Sequence, residues 1–197
     1  MNGTSIKTPL IASLLGLALS SSLAMTTAHA ADTSHDSVMV GGQSMMPSKD
    51  IIDNAVNSKD HTTLVTAVKA AGLVDTLKGK GPFTVFAPVN SAFTALPAGT
   101  VDNLLKPENK ATLTKILTYY VVPRKLDMME LTKRIKAGGG KTKLTTVAGG
   151  KLWVMMNGPY NIVIKDEKGD VADITTYDVY QSNGVIQVID KVLMPKS

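Results

Sequence analysis

Histidine, cysteine and clustered acidic residues are the side chains that most often carry catalysis or bind metals. The 197 residues include three histidines and no cysteine. His29 falls in a predicted leader and His35 in a polar stretch without periodicity, so no rigid element holds either of them. His61 follows Asp60 at a predicted helix start, and we expect it on the surface near the N-cap. We therefore expect no zinc site and no histidine acting as a general base.

A group of carboxylates is the other candidate for metal chemistry. Asp166, Glu167 and Asp170 surround Lys168-Gly169 and could be imagined as a calcium loop. The pattern lacks the alternating oxygen ligands and the terminal glutamate of an EF-hand, so it favours a polar hairpin turn. Ser91 lacks the flanking glycines of a nucleophile elbow. These patterns predict a protein that is not an enzyme and that binds no metal or other cofactor.

Positive charge is mild and dispersed along the chain. The formal net charge is +5, which includes Lys7. The densest basic group consists of Lys133, Arg134, Lys136, Lys141 and Lys143. A solvated face is favoured for this group, and a polyanion site is the alternative. A nucleic-acid surface would add stacking aromatics, whereas the single tryptophan, Trp153, is predicted to be partly buried, so no nucleic-acid partner is expected.

Residues 1–30 have the pattern of a signal peptide. Lys7 supplies positive charge, an apolar run extends from Leu10 to Leu23, and Ala28-His29-Ala30 gives a small-x-small cleavage pattern. The apolar run is shorter than the roughly 20 residues of a spanning helix, and no later segment is longer, so no transmembrane segment is predicted. Cleavage near Ala30 predicts a periplasmic or secreted protein, in which the lack of cysteine leaves packing to stabilise the fold.

The rest of the chain divides into an arm and one folded domain. Residues 31–44 are polar and lack periodicity, so they are predicted to be flexible, and the domain is predicted to span residues 45–196. The first half has helical spacing, including a capping box at Asp127 and Glu130. In the second half, short β-prone runs are separated by the turn pairs Gly149-Gly150, Asn157-Gly158 and Lys168-Gly169. Helices followed by a β-meander indicate an α+β fold.

Two segments about a hundred residues apart carry the most specific pattern. Phe83 to Phe93 joins an apolar β-run, stopped by Pro88, to a helix start at which Asn90 is predicted as the N-cap. Ser182 to Leu193 is typical of a turn that leads into a terminal strand. In this order and at this separation, the two segments resemble the signature segments of the fasciclin (FAS1) domain. The similarity runs over residues 45–195 and extends to short, single-domain bacterial members of the family.

This resemblance implies a wedge-shaped β-sandwich with helices packed along one edge. Family members are exported or surface-bound, act mostly in cell adhesion and matrix contacts, and are not known as enzymes. The resemblance therefore implies an exported interaction module that binds a protein or a polysaccharide at the cell envelope, the cell surface or the matrix. Two alternatives remain open. One is a periplasmic small-ligand carrier with an apolar groove between helices and sheet, and the other is an acidic-polysaccharide binder that uses Lys133 to Lys143.

The resemblance also points to candidate contact residues. The family carries a Tyr-His pair where this chain has Tyr119-Tyr120, and often a histidine where it has Gln187, so two titrating imidazoles are missing. An Asp-Ile pair implicated in integrin contact in animal relatives falls on Asp178-Val179, ahead of the turn that contains Asn183. The candidate partner-binding residues are Tyr119, Tyr120, Asp178, Val179 and Asn183.

Overall fold

The two segments that carry the resemblance lie side by side. A computed structural model describes residues 36–196, and the predicted signal peptide and its cleavage site lie outside them. Within the described part, Phe83–Pro88 and Gly184–Ile189 form neighbouring parallel strands. Phe83 pairs with Gly184, and the register continues unbroken to the pair of Pro88 and Ile189. Both strands are buried on both faces, which is the usual environment of parallel strands.

These strands belong to a seven-stranded mixed sheet. In chain order its strands are β3 (Phe83–Pro88), β4 (Val121–Val122), β5 (Lys141–Thr145), β6 (Lys151–Asn157), β7 (Asn161–Lys165), β8 (Val171–Gln181) and β9 (Gly184–Ile189). Their spatial order is β4-β3-β9-β8-β7-β6-β5. All neighbouring pairs except β3 and β9 are antiparallel. The predicted β-meander is confirmed in β5 to β9.

Strand β8 joins the two halves of the sheet. Residues 171–173 pair with β7, whereas residues 174–181 pair with β9. The register with β9 shifts between Ile174 and Thr176 and again between Thr176 and Val179. Such irregularities bend and twist a strand, so the sheet folds towards a sandwich. The predicted α+β class is confirmed.

Seven α-helices complete the described part of the chain. They are α1 (Ile51–Ala55), α2 (Thr62–Ala71), α3 (Val74–Lys78), α4 (Asn90–Thr94), α5 (Thr100–Leu104), α6 (Lys110–Tyr119) and α7 (Met128–Ala137). Helix α2 buries Leu64 and Val68, which lie four residues apart on one face of the helix. It ends at Gly72, whose left-handed conformation (φ 73°) provides the C-cap.

Two hydrophobic clusters share the central strands. Side chains alternate along β3, so Val85 and Ala87 join one cluster and Phe86 joins the other. The first cluster contains residues of α1, α2 and α3. The second contains Leu131 and Ile135 of α7 together with the inner face of β5 to β8. The two distant segments therefore build the interior of one domain.

The N-terminal boundary differs from the prediction. Residues 31–44 are predicted as a flexible arm, but strands β1 (Val38–Val40) and β2 (Gln43–Met45) form an antiparallel hairpin. Val40 and Met45 are buried in the first cluster. The prediction is wrong from Val38 onwards because strands this short place very few side chains inward, too few to show a period of two.

The helix caps give one confirmation and one correction. Asp127 is the N-cap of α7 and accepts from the Glu130 N–H at 2.8 Å, as predicted. Asn90 is not the N-cap of its own helix, which Val89 precedes. Its Oδ1 instead accepts from the N–H of Thr63 at 3.0 Å, in the first turn of α2. Asn90 thus caps a helix that lies earlier in the chain.

Candidate interaction surface

Asp178 lies at the irregularity of β8 and joins three elements. It has φ 55°, and no other described non-glycine residue has a positive φ. Its N–H donates to Gln187 Oε1 at 3.0 Å, and its Oδ1 accepts from Gln187 Nε2 at 2.8 Å. The same Oδ1 accepts from the N–H of Met128 at 2.8 Å, at the start of α7. These bonds fix β8 to β9 and to the N-terminus of α7.

An open groove lies beside Asp178 along α7. It has a volume of about 630 Å³ and is lined by Met128, Met129, Thr132, Lys133, Lys136 and Asp178. We call this surface the α7 groove. The Met129 side chain is 78% exposed. Met129 and Lys133, like Thr132 and Lys136, are four residues apart and therefore lie on one face of the helix.

The chemistry of the α7 groove suits a macromolecular contact. Met129 offers a flexible apolar side chain that adapts to different surfaces. Lys133 and Lys136 make no ion pair with any described residue, so their charges are available to an anionic partner. Arg134, in contrast, is paired with Glu130, with 2.7 Å between Nε and Oε1. The groove therefore combines an exposed apolar side chain with two available cations.

Tyr180 and Lys125 lie near the same end of α7. The Lys125 ammonium lies 4.7 Å from the centre of the Tyr180 ring, within the range of a cation–π contact. The Tyr180 hydroxyl donates to Asp127 Oδ2 at 3.4 Å. Burial, followed by the charges of Asp178 and Asp127, raises the pKa of Tyr180 to about 12. The phenol is therefore neutral at physiological pH.

The sequence analysis did not identify the α7 groove, although the spacing of the residues in α7 indicates that Met129 is exposed. The adjacent residues Met128 and Met129, like the other methionine pairs of the chain, are typical of side chains that fill a core, which predicts that both are buried. Met128 is half-buried, but Met129 is exposed, so the prediction is wrong for Met129. The four-residue spacing from Met129 to Lys133 is the pattern that places it on the polar face of α7.

Tyr119 and Tyr120 are buried, which corrects their assignment as contact residues. Tyr119 Oη donates to the carbonyl of Lys151 at 2.7 Å and accepts from the Glu167 N–H at 3.2 Å. Tyr120 Oη donates to the carbonyl of Leu193 at 2.7 Å and accepts from its N–H at 2.8 Å. Burial raises the pKa of both phenols well above the usual range. Both tyrosines hold the core together and present no surface to a partner.

Val179 and Asn183 are also buried, so neither offers a free surface. Val179 is part of the first hydrophobic cluster. Asn183 Oδ1 accepts from the N–H of Ile51 at 3.1 Å, and its Nδ2 donates to the carbonyls of Leu77 and Gly79 at 2.7 and 2.9 Å. Asn183 therefore joins the β8–β9 turn to α1 and α3. Asp178 alone among the five candidates lines an open groove.

His61 is buried, contrary to the prediction of a surface position. Its side chain is 4% exposed, and Nδ1 lies 2.9 Å from Ser58 Oγ. Nε2 is buried and makes no hydrogen bond of acceptable geometry. Burial lowers the pKa of His61, although the Ala87 backbone and the Asp60 carboxylate oppose this shift. The polar neighbour Asp60 suggested exposure, but the chain turns His61 inward under β3.

The space beside His61 is an apolar cavity between helices and sheet. Its volume is about 50 Å³, and its lining includes His61, Leu64, Val68, Val85, Ile186 and Val188. Pockets for small organic ligands usually measure about 300–1,000 Å³. The groove that a small-ligand carrier needs is therefore closed in this structure.

The carboxylates at residues 166–170 form the predicted polar turn. Asp166 Oδ1 accepts from the N–H groups of Lys168, Gly169 and Asp170 at 2.8–2.9 Å. Its Oδ2 accepts from the N–H of Met194 at 2.8 Å, so the turn also holds the C-terminal segment. Within residues 36–196, no three potential metal-binding side chains among His, Cys, Asp and Glu are grouped closely enough to hold an ion.

Comparison with known proteins identifies the family. The Fasciclin domain model matches residues 59–195. Protein sll1483 of Synechocystis sp. is 42% identical over 166 residues, which cover 83% of each chain. Immunogenic protein MPB70 of Mycobacterium bovis is 34% identical over 146 residues, which cover 72% of this chain and 66% of MPB70.

A solved structure supports the same fold. It is a FAS1 domain pair from the insect cell adhesion molecule fasciclin I, with a TM-score of 0.65 and 19% sequence identity. The match covers 74% of this chain and 51% of that chain. None of the helices within residues 36–196 combines the length and the apolar character needed to cross a membrane. The domain match, the sequence relatives and the shared fold together show that the chain belongs to the fasciclin domain family.

Proposed function

We propose that this protein is an exported, non-enzymatic FAS1 module that binds a macromolecular partner at the cell surface or in the extracellular matrix. The observation that carries the proposal is the α7 groove, where exposed Met129 lies beside Lys133 and Lys136. Asp178 anchors the first turn of this helix to the sheet. A rigid scaffold with an adaptable contact residue is suited to adhesion, because little ordering is needed on binding.

Several observations support a role without catalysis. His61 is the only histidine within residues 36–196, and it is buried against Ser58 rather than open to a substrate. Both carboxylate oxygens of Asp166 accept backbone N–H groups, Oδ1 from a turn and Oδ2 from the C-terminal segment. The similar solved structure comes from a protein described as a cell adhesion molecule. Turnover of a substrate that disappears in His61→Gln would contradict this part of the proposal.

Retention of envelope or matrix components by the immobilised protein tests the contact surface. Met129→Ala combined with Lys133→Gln should lower retention of the partner by at least about tenfold, if the two contacts together contribute about 1.4 kcal/mol. The matched control is Met39→Ala combined with Lys106→Gln, since Met39 is also 63% exposed and Lys106 is exposed. Equal retention by both double variants would place the contact elsewhere.

Export is tested separately, because it depends on the leader. The chain is expressed with its own N-terminus, and periplasm and culture medium are analysed by intact-mass measurement. The proposal predicts a mature protein that begins at Ala31. A cytoplasmic product that retains residues 1–30 would contradict export without affecting the assignment of the α7 groove.

A further inference from the structure

Trp153 lies on the outer face of the β5–β7 sheet, on the side opposite α7. Along β6, Leu152 and Val154 are buried in the cluster that contains the α7 residue Leu131. Trp153 and Met155 alternate with them and are half-buried. The helix therefore covers the inner face, and the ring of Trp153 belongs to a separate surface.

Trp153 forms the centre of a row that crosses three strands. Lys143 of β5 pairs with Trp153, and Trp153 pairs with Lys165 of β7. Adjacent strands are about 4.8 Å apart, so the two lysine backbones lie about 10 Å from each other across the ring. Both lysines are exposed and make no ion pair with a described residue. The row thus places an aromatic ring between two available cations.

A shallow depression adjoins the row. Its volume is about 530 Å³, and its lining includes Lys141, Trp153, Met155, Lys165 and Lys168 together with Asp166 and Glu167. Both acids already accept backbone N–H groups through each carboxylate oxygen. The N–H groups of Lys196 and Lys151 lower the pKa of Glu167. The side chains of Lys141, Lys165 and Lys168 make no ion pair with a described residue, so three available cations face two carboxylates whose oxygens are already hydrogen-bonded.

Protection of a sheet edge explains only part of this pattern. β5 is the last strand of the sheet, and lysines on an edge strand discourage pairing with another chain. That argument covers Lys141 and Lys143. Trp153 and Lys165 lie on β6 and β7, each of which is paired with a strand on both sides. Edge protection therefore does not account for the cation and the aromatic ring at these two positions.

We propose that this outer face, centred on the row Lys143–Trp153–Lys165, binds an acidic polysaccharide. The C–H face of a sugar ring would pack on the Trp153 indole, and carboxylate or sulfate groups on either side would pair with Lys143 and Lys165. Nucleic acid is a weaker fit, because surfaces for single strands stack successive bases on several aromatics. The site is separate from the α7 groove and goes beyond the function proposed for that groove.

Trp153 provides a direct readout, because it is the only tryptophan in the chain. The purified protein is titrated with oligogalacturonate while tryptophan fluorescence is recorded, and dextran serves as the neutral control. We expect a saturable change with the polyuronate that weakens as NaCl is raised from 20 to 300 mM, since exposed charges are screened. No spectral change with the polyuronate, or an equal change with dextran, would overturn the proposal.

Variants locate the binding site. Lys143→Gln with Lys165→Gln should weaken oligogalacturonate binding by about tenfold or more, since each cation supplies a charge-assisted contact. The matched control, Lys106→Gln with Lys110→Gln, removes the same charge from exposed lysines elsewhere and should leave affinity within about twofold. In Trp153→Ala, binding measured by calorimetry should be lost while the thermal unfolding transition is retained. Equal weakening by both lysine pairs would indicate a net-charge effect and overturn the site.

Two further measurements separate this inference from other outcomes. Tighter binding of oligo(dT) than of oligogalacturonate at equal ionic strength would replace the polysaccharide with nucleic acid and overturn the partner class. Retention of envelope partners by the Lys143→Gln/Lys165→Gln variant is then compared with that of Met129→Ala/Lys133→Gln. Suppose that only Met129→Ala/Lys133→Gln loses retention of envelope partners and that neither double variant changes polyuronate binding. The inference then fails, while the proposed function stands.

Discussion

Asp178 and Gln187 exchange two hydrogen bonds between adjacent strands. The Asp178 N–H donates to Gln187 Oε1 at 3.0 Å, and Gln187 Nε2 donates to Asp178 Oδ1 at 2.8 Å. Gln187 is fully buried, and its Nε2 also donates to the carbonyl of Leu126 at 3.1 Å. Because an amide does not titrate, this connection from β8 to the start of α7 does not depend on the protonation of residue 187. The histidine common at this place in the family would make it pH-dependent.

The Gln187 amide should therefore be important for stability. Gln187→Leu keeps much of the volume but leaves the Asp178 N–H and the Leu126 carbonyl without partners, so it should lower the free energy of unfolding by about 2–4 kcal/mol. Urea unfolding followed by circular dichroism measures this loss. Gln43→Leu is the control, because Gln43 is exposed. A loss below about 0.5 kcal/mol in Gln187→Leu would show that these bonds contribute little.

The turn at Asp166 gives a second prediction. Asp166→Ala removes the acceptor of three turn N–H groups and of the Met194 N–H, so it should lower stability by about 2–4 kcal/mol. It should also increase hydrogen exchange in residues 192–196, which the turn holds. Asp170→Ala is the control, since Asp170 is exposed and its carboxylate accepts no hydrogen bond within the described chain. Comparable losses in the two variants would contradict the assigned role of Asp166.

The N-terminal hairpin gives a third prediction. Gly41 has φ 60°, and a Cβ there would lie 2.5 Å from Ser58 Oγ and 2.6 Å from the Asp60 nitrogen. Gly41→Ala should therefore detach the hairpin and expose Val40, at a cost of roughly 1–3 kcal/mol. Gly42→Ala is the control, because Gly42 also has a positive φ but no atom within 4 Å of the added Cβ. Limited proteolysis near residues 38–45 should be faster in Gly41→Ala alone.

Local patterns in the sequence predicted much of the fold. The β-prone runs separated by turn pairs predicted the meander, and Asp127 followed by Glu130 predicted the N-cap of α7. Each of these depends on residues close in sequence, so spacing is sufficient evidence. The pairing of β3 with β9 was accessible only through resemblance to a family, because about a hundred residues separate the two strands.

The candidate site was harder to predict, because burial is a property of the whole fold. Asn90 is of a residue type that favours the N-cap position. Its Oδ1, however, accepts from the N–H of Thr63, which belongs to a helix brought near by tertiary packing. Tyr119 and Tyr120 are contact candidates through the family resemblance, whereas each hydroxyl is used inside the core. A polar group in the sequence therefore indicates that a hydrogen bond exists, but it does not indicate whether the partner is internal.

The last prediction concerns pH and rests on His61. Burial lowers its pKa below the ordinary value of 6.5, so the folded protein binds fewer protons there than the unfolded chain does. The stability that this contributes is fully present above pH 6.5 and is lost as pH falls towards the folded pKa. The slope can reach about 1.4 kcal/mol per pH unit when the folded site stays neutral.

His61→Gln should remove this pH dependence, because the amide stays neutral in both states. We expect the free energy of unfolding of the parent protein to fall from pH 7.5 to pH 5 relative to that of His61→Gln, as measured by urea unfolding at each pH. Glu167 has a pKa below its ordinary 4.5, so its own loss of stability falls mainly below this range and is common to both proteins. A difference between the two proteins that stays constant from pH 7.5 to pH 5 would show that His61 takes up a proton in the folded state as easily as in the unfolded chain.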